Sequence, residues 1–367
     1  MGGRRSKKTS QRIIINRVIA VVILVFVLAL LSGLIWYLNN ISPVNKKDET
    51  QIEISIPQDS TASEIADILL QNGVIKSKTA FKIYTRLHGS SDLTAGSYYL
   101  SKSMSLKEII KTIKSNDTIQ ISITFIEGKN IKWIAKEIAN ITNNTEEDVF
   151  NLLKNEEYID SLIEKYWFLT KDIKNKDIYY PLEGYLFPDT YLIDNRDITV
   201  EEIFEMMLDR MEDILDEYKE QIQEKGYNIN KILTVASIIE LESIGEDGRK
   251  DVASVIYNRL NKGMAIQSDV TTYYAFQVDI GERDLFLKEI NTYNPYNTRG
   301  PDMEGKLPVG PMCLVGKSCI DAALNPSSTD YLFFVADKNG KLYFSKTNGE
   351  HEEIISELQQ EGLWLEY

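Results

Sequence analysis

The sequence has few of the side chains that most enzymes use as nucleophiles, bases or metal ligands. Among 367 residues there are two histidines, His88 and His351, and two cysteines, Cys313 and Cys319. Two histidines exclude a His-rich zinc site and a His-Glu-x-x-His protease, and no Gly-x-Ser-x-Gly or Ser-x-x-Lys motif occurs. Two thiols are too few for a disulfide scaffold, so they either form one local bridge or are small buried side chains. The chemistry must come mainly from carboxylates.

Acidic residues are missing from the first 17 positions, although the chain as a whole is acidic. Residues 1–17 carry six basic side chains, namely Arg4, Arg5, Lys7, Lys8, Arg12 and Arg17. The remainder has 35 of the 41 Lys and Arg residues against all 55 Asp and Glu residues. Such an acidic body offers little to neutralise phosphates, which argues against a nucleic-acid partner.

One long hydrophobic run follows the basic tail. Residues 18–38 read VIAVVILVFVLALLSGLIWYL, 21 residues without a charge, enough to cross a bilayer as a helix. Trp36 and Tyr37 fall where an interfacial aromatic belt lies. Under the positive-inside rule, the basic residues place the N-terminus in the cytoplasm and the long body outside.

The alternative interpretation of this run is a cleaved signal peptide. The apolar region of a signal peptide is only about 7–15 residues long and ends at a small-residue cleavage site. Here Ser32-Gly33 is followed by Leu, Ile and Trp. The sequence therefore predicts an uncleaved single-pass anchor at 18–38 in the cell membrane, with residues 1–17 as a cytoplasmic tail.

Beyond a polar linker at 39–50, the patterning predicts an α+β chain. Alternating isoleucines indicate a strand at 51–57, and Thr-Ala-Ser-Glu (61–64) and Ser-Leu-Lys-Glu (105–108) are capping boxes that open helices. A second strand at 120–126 and helix at 130–140 match the lengths of strand 51–57 and helix 61–72, which indicates an internal repeat. Small βα units of this kind resemble LysM domains, which bind N-acetylated sugars, although a plain structural module fits equally.

These patterns predict a LysM-like module at 51–118 and a mixed α/β domain at 119–367 that begins with the second βα unit. Within that domain we expect helical structure at 145–166, a long helix at 199–225 opened by a capping box, and a helix at 247–262. The dipeptide Asn339-Gly340 predicts a β-hairpin between 331–336 and 341–345, followed by a terminal helix from His351. The aromatic stretch at 179–192 is a loop that suits either sugar rings or internal packing.

The most informative stretch is the predicted helix at 231–243. Val235, Ile238 and Ile239 form an apolar stripe that Glu242 continues. Removing a carboxylate from water is costly, and a Glu that keeps its proton near neutral pH can protonate a glycosidic oxygen. Glu240 lies about 200° round the helix, so the two acids cannot serve one site as a pair. The alternative is a solvated Glu whose side chain reaches out to water.

Several motifs in the same order resemble the endolytic murein transglycosylases, the YceG-like family. They are Leu-Glu-Gly-Tyr-Leu-Phe-Pro-Asp-Thr-Tyr (182–191), Ala-Ser-Ile-Ile-Glu-Leu-Glu-Ser (236–243), Val-Ala-Ser-Val-Ile-Tyr-Asn-Arg-Leu (252–260), Ile-Gln-Ser-Asp (266–269), Tyr-Asn-Thr (296–298), Leu-Pro-x-Gly-Pro (307–311), Ala-Ala-Leu-Asn-Pro (322–326) and Tyr-Leu-Phe-Phe-Val-Ala-Asp (331–337). In that family a membrane-anchored protein cuts newly made peptidoglycan glycan strands internally and leaves 1,6-anhydro-N-acetylmuramic acid ends.

The resemblance implies that the domain at 119–367 is catalytic, and it implies which residues form the site. The catalytic acid falls on Glu242, with Glu240 as the fallback, and Ser243 echoes the Glu-Ser pair of other lytic transglycosylases. The residues implied to line the cleft are Glu183, Tyr191, Ser243, Asn258, Gln267, Ser268, Asp269, Tyr296 and Asn297. The chain departs from the family pattern at Val270, Val309, Leu314 and the longer loop 299–306, which affects the detail of substrate contacts.

The resemblance also implies a mechanism that needs one carboxyl group and neither metal nor organic cofactor. The muramic acid's own C6 hydroxyl is the nucleophile, so intramolecular attack replaces the second carboxylate of ordinary glycosidases. The expected partners are peptidoglycan glycan strands, the bilayer through residues 18–38, and peptidoglycan synthases. Two competing functions remain: a non-catalytic, membrane-tethered glycan-binding scaffold, and a simple hydrolase that makes reducing ends.

Overall fold

A computed structural model describes residues 4–89, 93–115, 119, 121–243, 245–246 and 248–364. The chain forms two compact units, the first comprising Met1–Ile121 with Ile193–Asp197 and the second Ser122–Leu192 with Ile198–Tyr367. Helices and short two-stranded sheets occur together, as the α+β prediction requires. Gln120, the predicted start of the second strand, and Asp247, the predicted start of a helix, lie outside the described residues.

Helix α1 (Arg4–Ile41) contains the hydrophobic run. Its segment Asn16–Ile41 is long and apolar enough to cross a membrane, and none of it is buried within the protein. Near its end, Tyr37 and Ile41 pack against the core of the first unit. The Lys76 ammonium donates to the Asn39 carbonyl at 3.1 Å and the Ser42 hydroxyl at 2.9 Å. The end of the apolar helix is therefore held by the rest of the first unit.

The first unit is a two-stranded antiparallel sheet covered by helices. Strand β1 (Ile52–Ile56) pairs with β2 (Gly96–Leu100), and the chain between them forms α2 (Ala62–Gln71) and α3 (Lys78–His88), before α4 (Leu106–Lys114). The capping boxes predicted before α2 and α4 are both present. The core consists of side chains from both strands and all three helices, including Ile54, Ile65, Phe81, Tyr98 and Ile109. The LysM-like character of this unit stays a prediction.

The second repeat predicted from the sequence has a strand and a helix at the expected places. Strand β3 (Ile121–Thr124) pairs with β4 (Thr190–Ile193), and helix α5 (Ile131–Ile141) follows β3. The hydroxyls of Thr124 and Thr190 lie 2.9 Å apart.

Most of the second unit is helical. Its remaining helices are α6 (Glu146–Leu153), α7 (Glu156–Lys165), α8 (Val200–Asp216), α9 (Lys219–Lys225), α10 (Ile229–Glu242), α11 (Arg249–Asn261), α12 (Asp269–Ala275), α13 (Leu287–Ile290), α14 (Lys317–Leu324) and α15 (Asn348–Gln360), with a short 3-10 helix at Lys171–Lys174. Helix α10 packs against α11, α12 and α14. The helix predicted at 231–243 is thus at the core of this unit.

Two helix predictions are corrected. The single helix expected at 199–225 is interrupted between α8 and α9, although its capping box at Thr199 and Glu202 is present. The terminal helix begins at Asn348 rather than His351, because Thr347 and Glu350 form a capping box three residues earlier. The predicted hairpin is confirmed: β5 (Phe333–Ala336) pairs antiparallel with β6 (Leu342–Ser345).

Candidate active site

Helix α10 is buried on every side along residues 232–239, so its burial extends beyond the predicted apolar stripe. Residues 229, 230 and 232–239 are all buried, including Ala236 and Ser237 on the face of Glu240. The stripe residues Val235, Ile238 and Ile239 are buried as predicted, and the face of Glu240 is buried as well. Glu242 is the last residue of the helix and is half-buried, like Glu240 and Leu241 before it. Ser243 follows in an extended conformation and ends the helix.

The Glu242 carboxyl group has a specific partner. The Ser268 hydroxyl donates to Glu242 Oε1 at 2.5 Å. Ser268 is buried and precedes the first residue of α12. The preceding residue, Gln267, has φ of 58°, in the left-handed region that a side chain adopts only at a cost. This strained turn brings the Ser268 side chain to the carboxyl group.

Two buried threonines hold the Ser268 backbone in place. The Thr298 hydroxyl accepts from the Ser268 amide at 3.1 Å, and the Thr271 hydroxyl donates to the Ser268 carbonyl at 2.7 Å. The two threonine hydroxyls lie 2.7 Å from each other. Since both threonines are completely buried, this network fixes the hydroxyl that faces Glu242.

The charges around Glu242 oppose one another. Burial raises the pKa of Glu242 above its ordinary value of 4.5; the hydrogen bond from Ser268 lowers it, Asp269 raises it and Arg299 lowers it. Arg299 is paired with Asp269 at 2.7 Å and donates to the Gln267 carbonyl at 3.2 Å. The net effect favours the protonated acid. The site prediction missed Arg299, whose only signal was a base directly after the Tyr-Asn-Thr motif.

Glu240, the fallback acid, is engaged elsewhere. Its Oε2 accepts from the Gly316 amide at 2.9 Å, and its Oε1 lies 3.5 Å from an Arg249 nitrogen. Both side chains of this ion pair are about nine-tenths buried or more, at 6% and 10% exposure. Glu240 therefore links α10 to α11 and to the start of α14, and no contact joins it to Ser268.

Two of the residues expected near the acid act on it directly, Ser268 through its hydroxyl and Asp269 through its charge. Glu242 binds Ser268, which lies between Gln267 and Asp269, and Ser243 is the next residue after the acid. The Ser243 hydroxyl is buried and has no hydrogen-bond partner among the residues that the structure describes. Gln267 is exposed, and its Oε1 accepts from Arg259 at 3.3 Å.

Other residues expected to line the cleft are interior. Tyr191 donates from its hydroxyl to the Phe187 carbonyl at 2.7 Å, and Tyr296 is completely buried among aromatic rings. Asn297 accepts from Thr272 at 2.7 Å and donates to three carbonyls of residues 289–292. These side chains are used to hold the fold together. Asn258 lies in a separate groove, described below.

Glu183 is also interior, and it joins three segments. Its carboxyl group accepts from the Ile131 amide at the start of α5 and, at 3.1 Å, from the Tyr274 hydroxyl of α12. Only 1% of the residue is exposed. Burial raises the pKa of Glu183 to about 8, and the two hydrogen bonds oppose that rise.

We expect Glu183→Gln to flatten the pH dependence of stability. The folded wild type keeps a proton on Glu183 that the unfolded chain releases above its ordinary pKa of 4.5, so stability is full below that pH and falls as the pH rises towards 8. Glutamine has no proton to release. Urea unfolding from pH 5 to 8 should show a loss smaller in the variant by a few kcal/mol; equal slopes would contradict the assignment.

The described part of the chain has no group of three or more His, Cys, Asp or Glu side chains placed to hold a metal ion. Cys313 and Cys319, for which the sequence allowed a bridge, are both free and buried. The Glu242 carboxyl group and the hydroxyls beside it are the candidate reactive groups of this site.

Comparison with known proteins identifies the family. Residues 54–357 match the YceG-like family, and the chain belongs to it. An endolytic murein transglycosylase of Bacillus subtilis (strain 168) is 38% identical over 313 residues, covering 85% of this chain and 86% of that protein. A protein of the same name from Streptococcus pneumoniae serotype 2 (strain D39) is 31% identical over 353 residues; this chain spans only 63% of its length, with 90% of this chain covered.

A solved structure is similar as well. The crystal structure of a YceG-like protein from Listeria monocytogenes is 34% identical to this chain, with a TM-score of 0.60. The similarity covers 83% of this chain and 99% of that structure.

Proposed function

We propose that this chain is a membrane-anchored lytic transglycosylase that cuts murein glycan strands internally, between N-acetylmuramic acid and N-acetylglucosamine. Membership of the YceG-like family and the names of its relatives support the reaction class. The observation that carries the chemistry is the half-buried Glu242, whose pKa burial raises and whose carboxyl group meets the fixed Ser268 hydroxyl.

Glu242 acts first as an acid and then as a base. Its proton passes to the glycosidic oxygen as the bond from that oxygen to C1 of the muramic acid breaks. The resulting carboxylate takes the proton of the C6 hydroxyl as the C6 oxygen bonds to C1. The ring holds C6 and C1 close together, so this attack needs no second carboxylate and no water. One product carries a 1,6-anhydro end, and Glu242 regains its proton.

Ser268 is a positioning residue for this step, and Ser268→Ala tests it. Loss of a hydrogen bond to a charged group should lower kcat by about tenfold or more. Because that bond lowers the pKa of Glu242, its removal should also move the alkaline limb of the pH–rate profile to higher pH. Ser268→Thr keeps a hydroxyl and should keep the limb. If the alkaline limb of the Ser268→Ala profile stays at the wild-type pH, the positioning role of Ser268 is contradicted.

The membrane part of the proposal follows from α1. Its apolar segment is long enough to span a bilayer, and the basic residues of the tail precede it. The positive-inside rule then puts the tail in the cytoplasm and Glu242 on the outer side, where murein lies.

The mass of the products tests the reaction. The full-length protein is incubated with uncrosslinked glycan strands in ¹⁸O-labelled water, and new ends are analysed by mass spectrometry. The proposal predicts anhydro ends that are lighter than reducing ends by one water and contain no ¹⁸O. Reducing ends labelled with ¹⁸O would identify a hydrolase, and intact strands that only bind would identify a glycan-binding scaffold.

A further inference from the structure

A large groove lies at the other end of helix α10 from Glu242. It has a volume of about 1400 Å³ and is bounded by the start of α10, one side of α11, and the loops 305–309 and 326–329. From Ile232, on its wall, to Glu242 is about 15 Å along the helix, and from Asn228 about 21 Å. Small-molecule pockets have volumes of about 300–1,000 Å³, so this groove fits an extended ligand.

The groove is basic although the protein is acidic. Its charged lining residues are Lys171, Lys231 and Lys306, with Asp172 as the single acid. Asp172 accepts from the Asn228 amide group at 2.8 Å. Lys171 and Lys231 are exposed, and neither forms an ion pair within the described ranges. Two ammonium groups are thus available to an anion, in a body whose net charge is strongly negative.

The neutral part of the lining suits a peptide. Side chains with amide or hydroxyl groups face the groove from several directions, among them Asn175, Asn261, Ser328 and Thr329. Asn258 lies here and donates to the carbonyls of Thr329 at 2.8 Å and Tyr331 at 3.0 Å. Tyr227 and Tyr257 add partly buried aromatic surface. Such a surface can pair with backbone amides while it covers small apolar side chains.

We propose that this groove binds the carboxylate-bearing peptide stem of murein; the inference rests on the proposed function and assigns a second part of its substrate. The sugars of murein are neutral hydroxyl and acetamido groups, whereas the stem peptides carry free carboxylates. A stem begins at each muramic acid and ends in a carboxylate, so one glycan strand carries many of them. Stems elsewhere on the strand that Glu242 cuts present their carboxylates to Lys171 and Lys231.

Binding is measured on the full-length Glu242→Gln protein in detergent, so that no cleavage intervenes. The probes are N-acetylmuramyl-pentapeptide and the same sugar without peptide, titrated calorimetrically. Lys171→Gln/Lys231→Gln should weaken binding of the peptide probe about tenfold, because both ammonium groups that pair with the stem carboxylates are lost. The peptide-free probe should bind equally to both proteins. Raised salt should reduce the difference.

The matched control is Lys136→Gln/Lys154→Gln, which removes two exposed charges of the same unit outside the groove. It should leave the affinity for the peptide probe unchanged. Equal weakening in control and groove variants, or no weakening in either, would overturn the proposal. So would a groove variant that loses binding to a glycerol-phosphate polymer and keeps binding to the peptide.

A kinetic comparison separates this inference from the proposed function. With Glu242 intact, the groove variant should raise KM on peptide-bearing strands about tenfold at unchanged kcat, and should cleave peptide-free strands like the wild type. If the wild type cleaves neither substrate, the proposed function fails, while the calorimetry still decides whether the groove binds peptide.

Discussion

Glu242→Gln should lower the rate of glycan cleavage by about a thousandfold or more. General acid–base catalysis by one group contributes about 10²–10⁴-fold, and Glu242 serves both proton transfers. Glutamine has nearly the same shape and can still accept from Ser268, whose hydroxyl is 2.5 Å from Glu242 Oε1. Binding and folding should therefore persist while proton donation is lost. The measurement is the release of anhydro-muropeptides from isolated sacculi, per folded enzyme.

The neighbouring acid supplies the control for this variant. Glu240→Gln removes a charge only two residues away, but that side chain binds Gly316 and Arg249 and lies away from the Ser268 hydroxyl. Its folded fraction should release anhydro products at a rate near that of the wild type. Full activity in Glu242→Gln, together with loss in Glu240→Gln, would show that the acid is assigned to the wrong residue.

Glu240→Ala should destabilise the protein by about 3 kcal/mol. Removal of one partner from a buried ion pair leaves the other charge uncompensated, and Arg249 is only 10% exposed. The variant also leaves the Gly316 amide without its acceptor. Urea unfolding measures the loss. Glu246→Ala, at an exposed position close in sequence, should change stability by less than about 0.5 kcal/mol.

The size of this effect separates a structural Glu240 from a catalytic one. The structural role predicts a lower urea midpoint and a kcat within a few-fold of the wild type at temperatures where the variant is folded. Arg249→Ala in the same chain should recover part of the loss, because the unpaired charge is gone. A stable variant with no catalytic activity would contradict the structural role.

Local signals in the sequence were sufficient for three helix starts. The capping boxes at Thr61, Ser105 and Thr199 depend on residues three positions apart, and all three are present. The break between α8 and α9 was missed because the apolar period continues across it and Tyr218 begins α9 without a side-chain cap. The helical region predicted at 145–166 is also divided, into α6 and α7, and there the Asn155 side chain caps the start of α7.

The candidate site was predictable only in part, because long-range contacts decide which polar side chains face inward. Glu242 could be singled out from its helix, but its partner lies 26 residues further along the chain. Nothing in the sequence pattern shows that Glu183 is held by α5 and α12, or Asn297 by α12 and α13. Several polar residues of the motifs, among them Glu183 and Asn297, support the fold from the interior.

The pH dependence of kcat/KM tests most directly whether Glu242 is an acid that burial keeps protonated. For cleavage of soluble glycan strands, the account predicts an alkaline limb whose midpoint lies above 4.5, the ordinary pKa of a glutamic acid, because burial raises the pKa of Glu242. The residual activity of Glu242→Gln should lack this limb. A limb centred at the ordinary value, or one that survives in Glu242→Gln, would contradict the account.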